Sequence, residues 1–303
     1  MKVSFYLYDP SVAAAAIFAA LYGLCFFGTT YLWLKHRAWV CLIMVVAAAM
    51  ESVGYISRCI SAQNQDNQSI YVLQFSLTVL APLLVAAFCY ILFGRITYLV
   101  IPRESRTFKL IWVPPRFVTP IFVFCDILAL FLQLIGAVML SSTDASDSDA
   151  QEKIDRGKDI ALIGTIVQLV AFGLFTFVAV RFNFTSKRFE KSTYEQYHGR
   201  EESNNRFNVV EGAALQAERK PSMNPNWRAL LRVVNIATIL ILVRTIYRMV
   251  EFTEGNKGYV NEHEWCVYVF DALAILPCFA LFVAYHPGKY LPYLGFRVPK
   301  HAR

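Results

Sequence analysis

The chain has 303 residues, 56% of them hydrophobic, 15% aromatic and only 17% charged, with a mean hydropathy of +0.43 and a formal net charge of +7. A soluble domain carries about a quarter charged residues, so this composition excludes an ordinary soluble enzyme. It also moves the meaning of the positive charge from nucleic-acid contact to orientation in a bilayer.

The charges sit mainly in short polar segments between long apolar stretches. Bilayer hydrocarbon cannot satisfy backbone polar groups, so each stretch of about 20 apolar residues is expected to be a helix. The N-terminus, with Lys2 before an alanine-rich run, looks like a signal peptide. However, Asp9-Pro10 interrupts its basic region and the apolar run over 12–34 is too long for a signal core, so it is taken as the first span. Seven spans follow in order: 12–34, 39–60, 70–100, 117–140, 158–181, 229–252 and 264–285. The third is longer than one crossing and should tilt or extend beyond the membrane. Pro82 and Pro277 fall inside spans three and seven, where kinks are expected rather than breaks. The fold class is therefore all-α and polytopic.

Lys and Arg in the connections set the orientation. Segments 35–38, 101–116, 182–227 and 286–303 hold 17 of them, against 4 in 1–11, 61–69, 141–157 and 253–263. That asymmetry places the N-terminus (1–11) outside. The membrane domain is then 12–285, including a cytoplasmic loop at 182–227, and the tail 286–303 is cytoplasmic. The acidic connection with Asp144, Asp147, Asp149, Glu152 and Asp155 is external on this reading. Asn67-Gln68-Ser69 is an external glycosylation sequon close to the membrane, whereas Asn183-Phe184-Thr185 falls on the cytoplasmic side and should stay unmodified. The 182–227 loop is polar, carries both charge signs and reads as a linker with a helix-prone piece at 211–220. The seven cysteines lie within or at the ends of apolar spans, as small hydrophobes do. Cys59 and Cys266 both fall near the outer surface, so a bridge between them is conceivable.

Ionisable groups inside spans cost several kcal/mol unless paired or hydrated, about 2.5–3.5 on insertion scales, so each is a functional hypothesis. Span two carries Glu51, Tyr55 and Arg58; the two charges share a helix face, roughly 10 Å apart along the axis. Span six carries Arg244, Tyr247, Arg248 and Glu251, and span seven carries Glu264, Tyr268 and Asp271 at i, i+4, i+7. Spans three, four and five add Gln74, then Asp126 and Gln133, then Gln168. The orientation puts all of these in the outer half except Asp126, which lies nearer the cytoplasm. Glu51, Asp126, Glu251 and Asp271 nearly balance Arg58, Arg244 and Arg248. Interhelical pairs of this kind can serve as structural glue alone. Seven charges and three glutamines exceed what glue needs and point to a hydrated cavity for an amphipathic ligand.

No GxxxxGK[ST], GxSxG or CxxC pattern occurs. The five histidines lie in loops or at span ends, and Glu262-His263-Glu264 is too compact for a metal site. The sequence therefore calls for no cofactor and no metal, and it specifies no enzyme. Carboxylate acid–base chemistry through Glu51 or Asp271 stays open as a third alternative.

Tyr8-Asp9-Pro10-Ser11, Glu51-x-x-Gly54-Tyr55-x-x-Arg58 and Gln74…Leu80-Ala81-Pro82…Ala86-Ala87-x-x-Tyr90 resemble the fungal RTA-like family, also called the lipid-translocating exporter family. So do Asp126…Gln133-x-x-Gly136, Arg244-x-x-Tyr247-Arg248-x-x-Glu251, Glu264…Asp271 and His286-Pro287-Gly288. The resemblance covers about 8–290 and leaves the 182–227 loop unmatched. It implies a seven-span plasma-membrane protein linked to export of sphingoid long-chain bases and resistance to lipophilic toxicants, with porphyrin traffic among relatives. The leading expectation is a translocator whose cargo amine meets Glu51, Glu251 or Asp271. The arginines would pair those carboxylates or accept an anionic head group. The alternative is a seven-helix lipid receptor signalling through the 182–227 loop.

Overall fold

The computed structural model describes residues 10–65, 67–100, 115–141, 150–187, 224, 226–254 and 258–291. The N-terminal residues 1–9, the acidic residues Asp144, Asp147 and Asp149, most of the 182–227 loop with its helix-prone piece, and the tail beyond 291 lie outside the described residues. Within them the chain is all-helical, and seven helices are long and apolar enough to cross a membrane. They are α1 (Val12–His36), α2 (Leu42–Gln63), α3 (Gln68–Val100), α4 (Pro115–Ser141), α5 (Ala150–Thr185), α6 (Trp227–Glu254) and α7 (264–284). Five contain their expected spans whole; the second expected span begins in the 3₁₀ turn at Trp39–Cys41 before α2, and the seventh runs one residue past the end of α7.

Local chemistry sets several of the boundaries. Ser11 caps α1, its hydroxyl accepting the Ala14 N–H at 3.3 Å. Arg37, in the left-handed conformation at φ 46°, closes the same helix after Lys35 and His36. A 3₁₀ turn at Trp39–Cys41 leads directly into α2. Asn67 starts α3, its side-chain carbonyl accepting the Ile70 N–H at 3.3 Å. The sequon asparagine is thus an exposed residue in the turn between α2 and α3. Helix α3 continues through Pro82, and α7 continues through Pro277. Inside the bundle the hydroxyls of Ser52, Thr78, Thr97, Thr165, Thr176 and Thr245 donate to carbonyls one turn back, so they need no water.

Helices adjacent in sequence lie side by side, except that α6 also rests on α3 across the centre and α7 closes onto α1. Large apolar side chains such as Leu24, Phe27, Phe124 and Phe131 face outward, as a lipid-solvated surface requires. The interior is aromatic. Tyr22 stacks on Tyr55 at 5.2 Å between centroids, and Phe175 meets Tyr90, Phe93 and Phe122 edge-on. All seven cysteines are free, so the conceivable Cys59–Cys266 bridge is not formed.

Helices α4 and α5 approach each other tightly, and glycine makes the approach possible. A Cβ on Gly136 would sit 2.5 Å from the Gly157 carbonyl oxygen and 2.7 Å from Ala161 Cβ. One on Gly164 would sit 2.8 Å from the Ala129 carbonyl oxygen. Backbone cannot yield as a side-chain tip can, so Gly136→Ala should destabilise the protein by about 1–3 kcal/mol. Gly23→Ala, with nothing within 4 Å, should not. Thermal midpoints of the two purified variants in detergent check this.

One local feature decides where the site residues point. Residues Val267–Ala272 form a π-helical segment inside α7. The wider turn breaks the i, i+4, i+7 alignment of Glu264, Tyr268 and Asp271. Glu264 and Tyr268 stay together toward Arg58 of α2, while Asp271 turns toward Arg244 and Arg248 of α6.

Candidate functional site

The last turns of α2 and α6 and the first turns of α7 bring most of the polar residues to one end of the bundle, beside the α2–α3 and α6–α7 connections. Asp271 is the hub. Arg244 Nε donates to Asp271 Oδ1 at 2.5 Å, and Arg248 Nη2 donates to Asp271 Oδ2. Arg248 Nη1 also reaches Glu251 Oε2 at 2.9 Å, and Arg244 Nη2 donates to the Thr78 carbonyl on α3 at 2.7 Å. Arg244, Arg248 and Asp271 are 5%, 8% and 4% exposed, so the charges are removed from bulk water. Phe75 and Tyr247 flank the Arg248 guanidinium at 5.5 and 5.9 Å, and Tyr247 stacks on Phe270.

Glu51 enters the same compartment from α2. It is 3% exposed and within electrostatic reach of Asp271, Arg244 and Arg248. Its carboxyl has no hydrogen bond or ion pair among the described residues. Asp271 and Glu251 are already engaged by arginine, so Glu51 is the carboxyl at hand for another partner. Tyr55, one turn further, lies under Tyr22 and Phe18, and Tyr22 fixes α7 by donating to the Ala272 carbonyl at 2.7 Å.

Arg58 belongs to a second cluster nearer the end of the bundle. Its Nε donates to the Tyr268 hydroxyl at 3.2 Å and its Nη2 lies 3.5 Å from Glu264 Oε1, while Tyr268 donates to that carboxylate at 3.1 Å. Both Glu264 oxygens also accept the Ser11 N–H, at 3.0 and 2.9 Å. The group ties the start of α1 to α2 and α7. Arg58 is thus paired inside the protein rather than reaching for the interface.

Arg244 and Arg248 have a second face. With Val79 of α3, Gln133 of α4, Thr165 and Gln168 of α5, and Thr245 and Phe252 of α6, they line a small cleft with a volume of about 20 Å³, room for roughly one water. Gln133 Nε2 donates to Gln168 Oε1 at 2.9 Å across the α4–α5 seam. The two arginines thus touch both the Asp271 and Glu251 carboxylates and the amide-lined cleft. Gln74 is buried on α3 one turn before Thr78, whose hydroxyl donates to its carbonyl. Asp126 stands apart: it accepts from Tyr90 at 2.8 Å within the Phe122–Phe172–Phe175 aromatic group, its other oxygen unpartnered among the described residues. Among those residues no group of three His, Cys, Asp or Glu side chains could hold a metal.

Four participants were not singled out from the sequence. The Thr78 carbonyl and the Ala272 carbonyl are backbone groups and carry no residue signature. Thr165 and Thr245 look like ordinary intramembrane hydroxyls until the cleft is seen.

Seven helices long and apolar enough to cross a membrane, packed around a buried polar cluster, define a multi-pass membrane protein. A family profile described as "RTA1 like protein" matches residues 44–293, and the chain belongs to that family. It is 30% identical to Protoporphyrin uptake protein 1 of Saccharomyces cerevisiae over 80% of this chain and 65% of that protein. It is 29% identical to the probable lipid transporter atnI of Emericella nidulans, over 94% and 68%. A more distant relative at 21% identity, over 84% and 66%, is the sphingoid long-chain base transporter RSB1 of S. cerevisiae. The chain spans 65% and 63% of the length of the first two curated relatives it matches. No solved structure matches it.

Proposed function

We propose that this protein is a translocator of amphipathic lipids, with sphingoid long-chain bases as the leading cargo, and that it confers tolerance to lipophilic toxicants. The observation that carries the proposal is Glu51: a carboxyl buried in the membrane without a partner among the described residues, beside arginines already engaged by Asp271. A lone buried carboxyl is costly, and an incoming ammonium would offset that cost. The cargo tail would remain between the helices. The transporter names of its relatives support a membrane-transport role over an enzymatic one.

The orientation proposed from loop charge places this end of the bundle outside, in the plasma membrane, with Asn67 glycosylated. A glycosidase-sensitive mobility shift in the wild type that disappears in Asn67→Gln is the expected result. A shift that persists would place the sugar, and so the orientation argument, elsewhere.

Translocation itself is tested with liposomes containing only this protein and labelled sphingosine. Efflux above that from empty vesicles is expected. Rates equal to empty vesicles would rule out direct movement of the lipid.

A further inference from the structure

Asp126 is the buried acid that the polar cluster leaves out. Only 7% of it is exposed, and it sits in the first half of α4, toward the end of the bundle opposite Glu51. Its Oδ2 accepts the Tyr90 hydroxyl at 2.8 Å, and its Oδ1 is buried with no hydrogen-bond partner among the described residues. No ion pair reaches it among those residues. Helix α4 carries no other charged residue after Arg116, and α5 carries none from 160 to 180. Toward Tyr90, α5 presents Phe172 and Phe175. The titratable groups around the Tyr90–Asp126 pair are the thiols of Cys89 on α3 and Cys125 on α4, which are neutral at ordinary pH. Arg95, the single Arg or Lys of α3, lies toward Cys41 of α2. Glu51 differs, because Arg244 and Arg248 are within its electrostatic reach.

An ionised carboxylate in that setting costs far more than the neutral acid, because one tyrosine hydroxyl replaces the several water contacts it gives up. A proton on Oδ1 removes the charge and turns an acceptor without a donor into a donor. Helical carbonyls keep a second lone pair that can accept it. We propose that Asp126 is a proton-binding site, held as the neutral acid in this packing, and that loss of its proton opens the seam between α3 and α4. The ionised form, with its proton passed to water, must be hydrated. Phe122, Phe172 and Phe175 close around Tyr90, so water reaches the carboxylate only if the helices part. Tyr90 holds α4 twice: its hydroxyl donates to Asp126, and its carbonyl accepts the Thr119 hydroxyl at 3.3 Å. Thr119 and Asp126, seven residues apart, share one face of α4. Between them Pro120 lacks the N–H that would tie it to the preceding turn, which leaves this stretch of the helix the easier to move. The proton state of Asp126 thereby sets the packing of α3 on α4, whichever lipid the protein carries.

The experiment uses the full chain in nanodiscs and infrared difference spectra recorded as the pH is raised from neutral. A protonated carboxylic C=O band should be present at neutral pH, shift in D₂O and be lost as the pH rises. It should be missing in Asp126→Asn and kept in Glu51→Gln. In Tyr90→Phe it should move to higher frequency, because the C=O loses the hydroxyl that donates to Oδ2. That shift assigns the band even if Asp126→Asn fails to fold. Thr119→Cys reports the seam. Its labelling by a water-soluble thiol reagent should accelerate more steeply with pH in the wild-type background than in the Asp126→Asn background, where the side chain stays neutral. A band unchanged in Asp126→Asn and Tyr90→Phe, or lost only in Glu51→Gln, would overturn the proton site, as would the lack of any such band in the wild type. Identical pH profiles of labelling in the two backgrounds would overturn the opening of the seam.

Discussion

Asp271→Ala should largely eliminate folded protein from the membrane, the larger of the two strongest effects the structure implies. Asp271 is the counterion of both Arg244 and Arg248, and all three side chains are buried. Removing one member of a buried ion pair leaves the other charged and desolvated, at a cost of about 3–5 kcal/mol. Here two guanidinium groups would be left, and Arg248 alone would retain Glu251. Typical domain stability is on the order of 5–15 kcal/mol, so the variant should lose most of its monodisperse peak after extraction. Arg248→Ala should be milder, since Asp271 keeps Arg244. Equal yield and thermal midpoint for Asp271→Ala and wild type would show that the ion-pair hub does not hold α6 to α7.

The second large effect falls on function. Glu51→Gln keeps the shape of the side chain and breaks no hydrogen bond or ion pair among the described residues, so the variant should fold and insert as wild type does. It should nonetheless weaken binding of an ammonium-bearing lipid by on the order of a hundredfold, the scale of a desolvated charge pair. The two variants thus separate the cluster's roles: Asp271 with its arginines as the structural hub, Glu51 as the group left for cargo. Glu51→Gln that fails to insert would assign the whole cluster to structure. Sphingosine binding to variant and wild type at matched protein, with the thermal midpoint measured alongside, checks both halves.

Much of this arrangement is legible in the sequence. Hydropathy alone locates the seven helices, because bilayer hydrocarbon leaves the backbone no other choice. The intramembrane charges stand out because their cost makes them rare. Their partners are less legible. The spacing of Glu264, Tyr268 and Asp271 suggests one face under α-helical geometry, and the π segment at Val267–Ala272 separates them into two clusters. Nothing in Val-Tyr-Val-Phe-Asp-Ala announces that wider turn. Asp126 carries the same sequence signal as Glu51, yet Tyr90 and a ring of phenylalanines hold it away from the arginines. Which acid meets which base depends on helix rotation and on contacts hundreds of positions apart, such as Ser11 with Glu264. The Gln133–Gln168 contact was more accessible in principle, since Gly136 and Gly164 mark α4 and α5 as a close pair.

The central claim is that the compartment holding Glu51 is where cargo sits. The most direct measurement is a density map of the full chain in nanodiscs with sphingosine bound. The account predicts head-group density within hydrogen-bonding distance of the Glu51 carboxyl, with Arg244 and Arg248 still on Asp271 and the tail running between helices. Sphingosine density confined to the outer, lipid-facing surface, with Glu51 still alone, would contradict it.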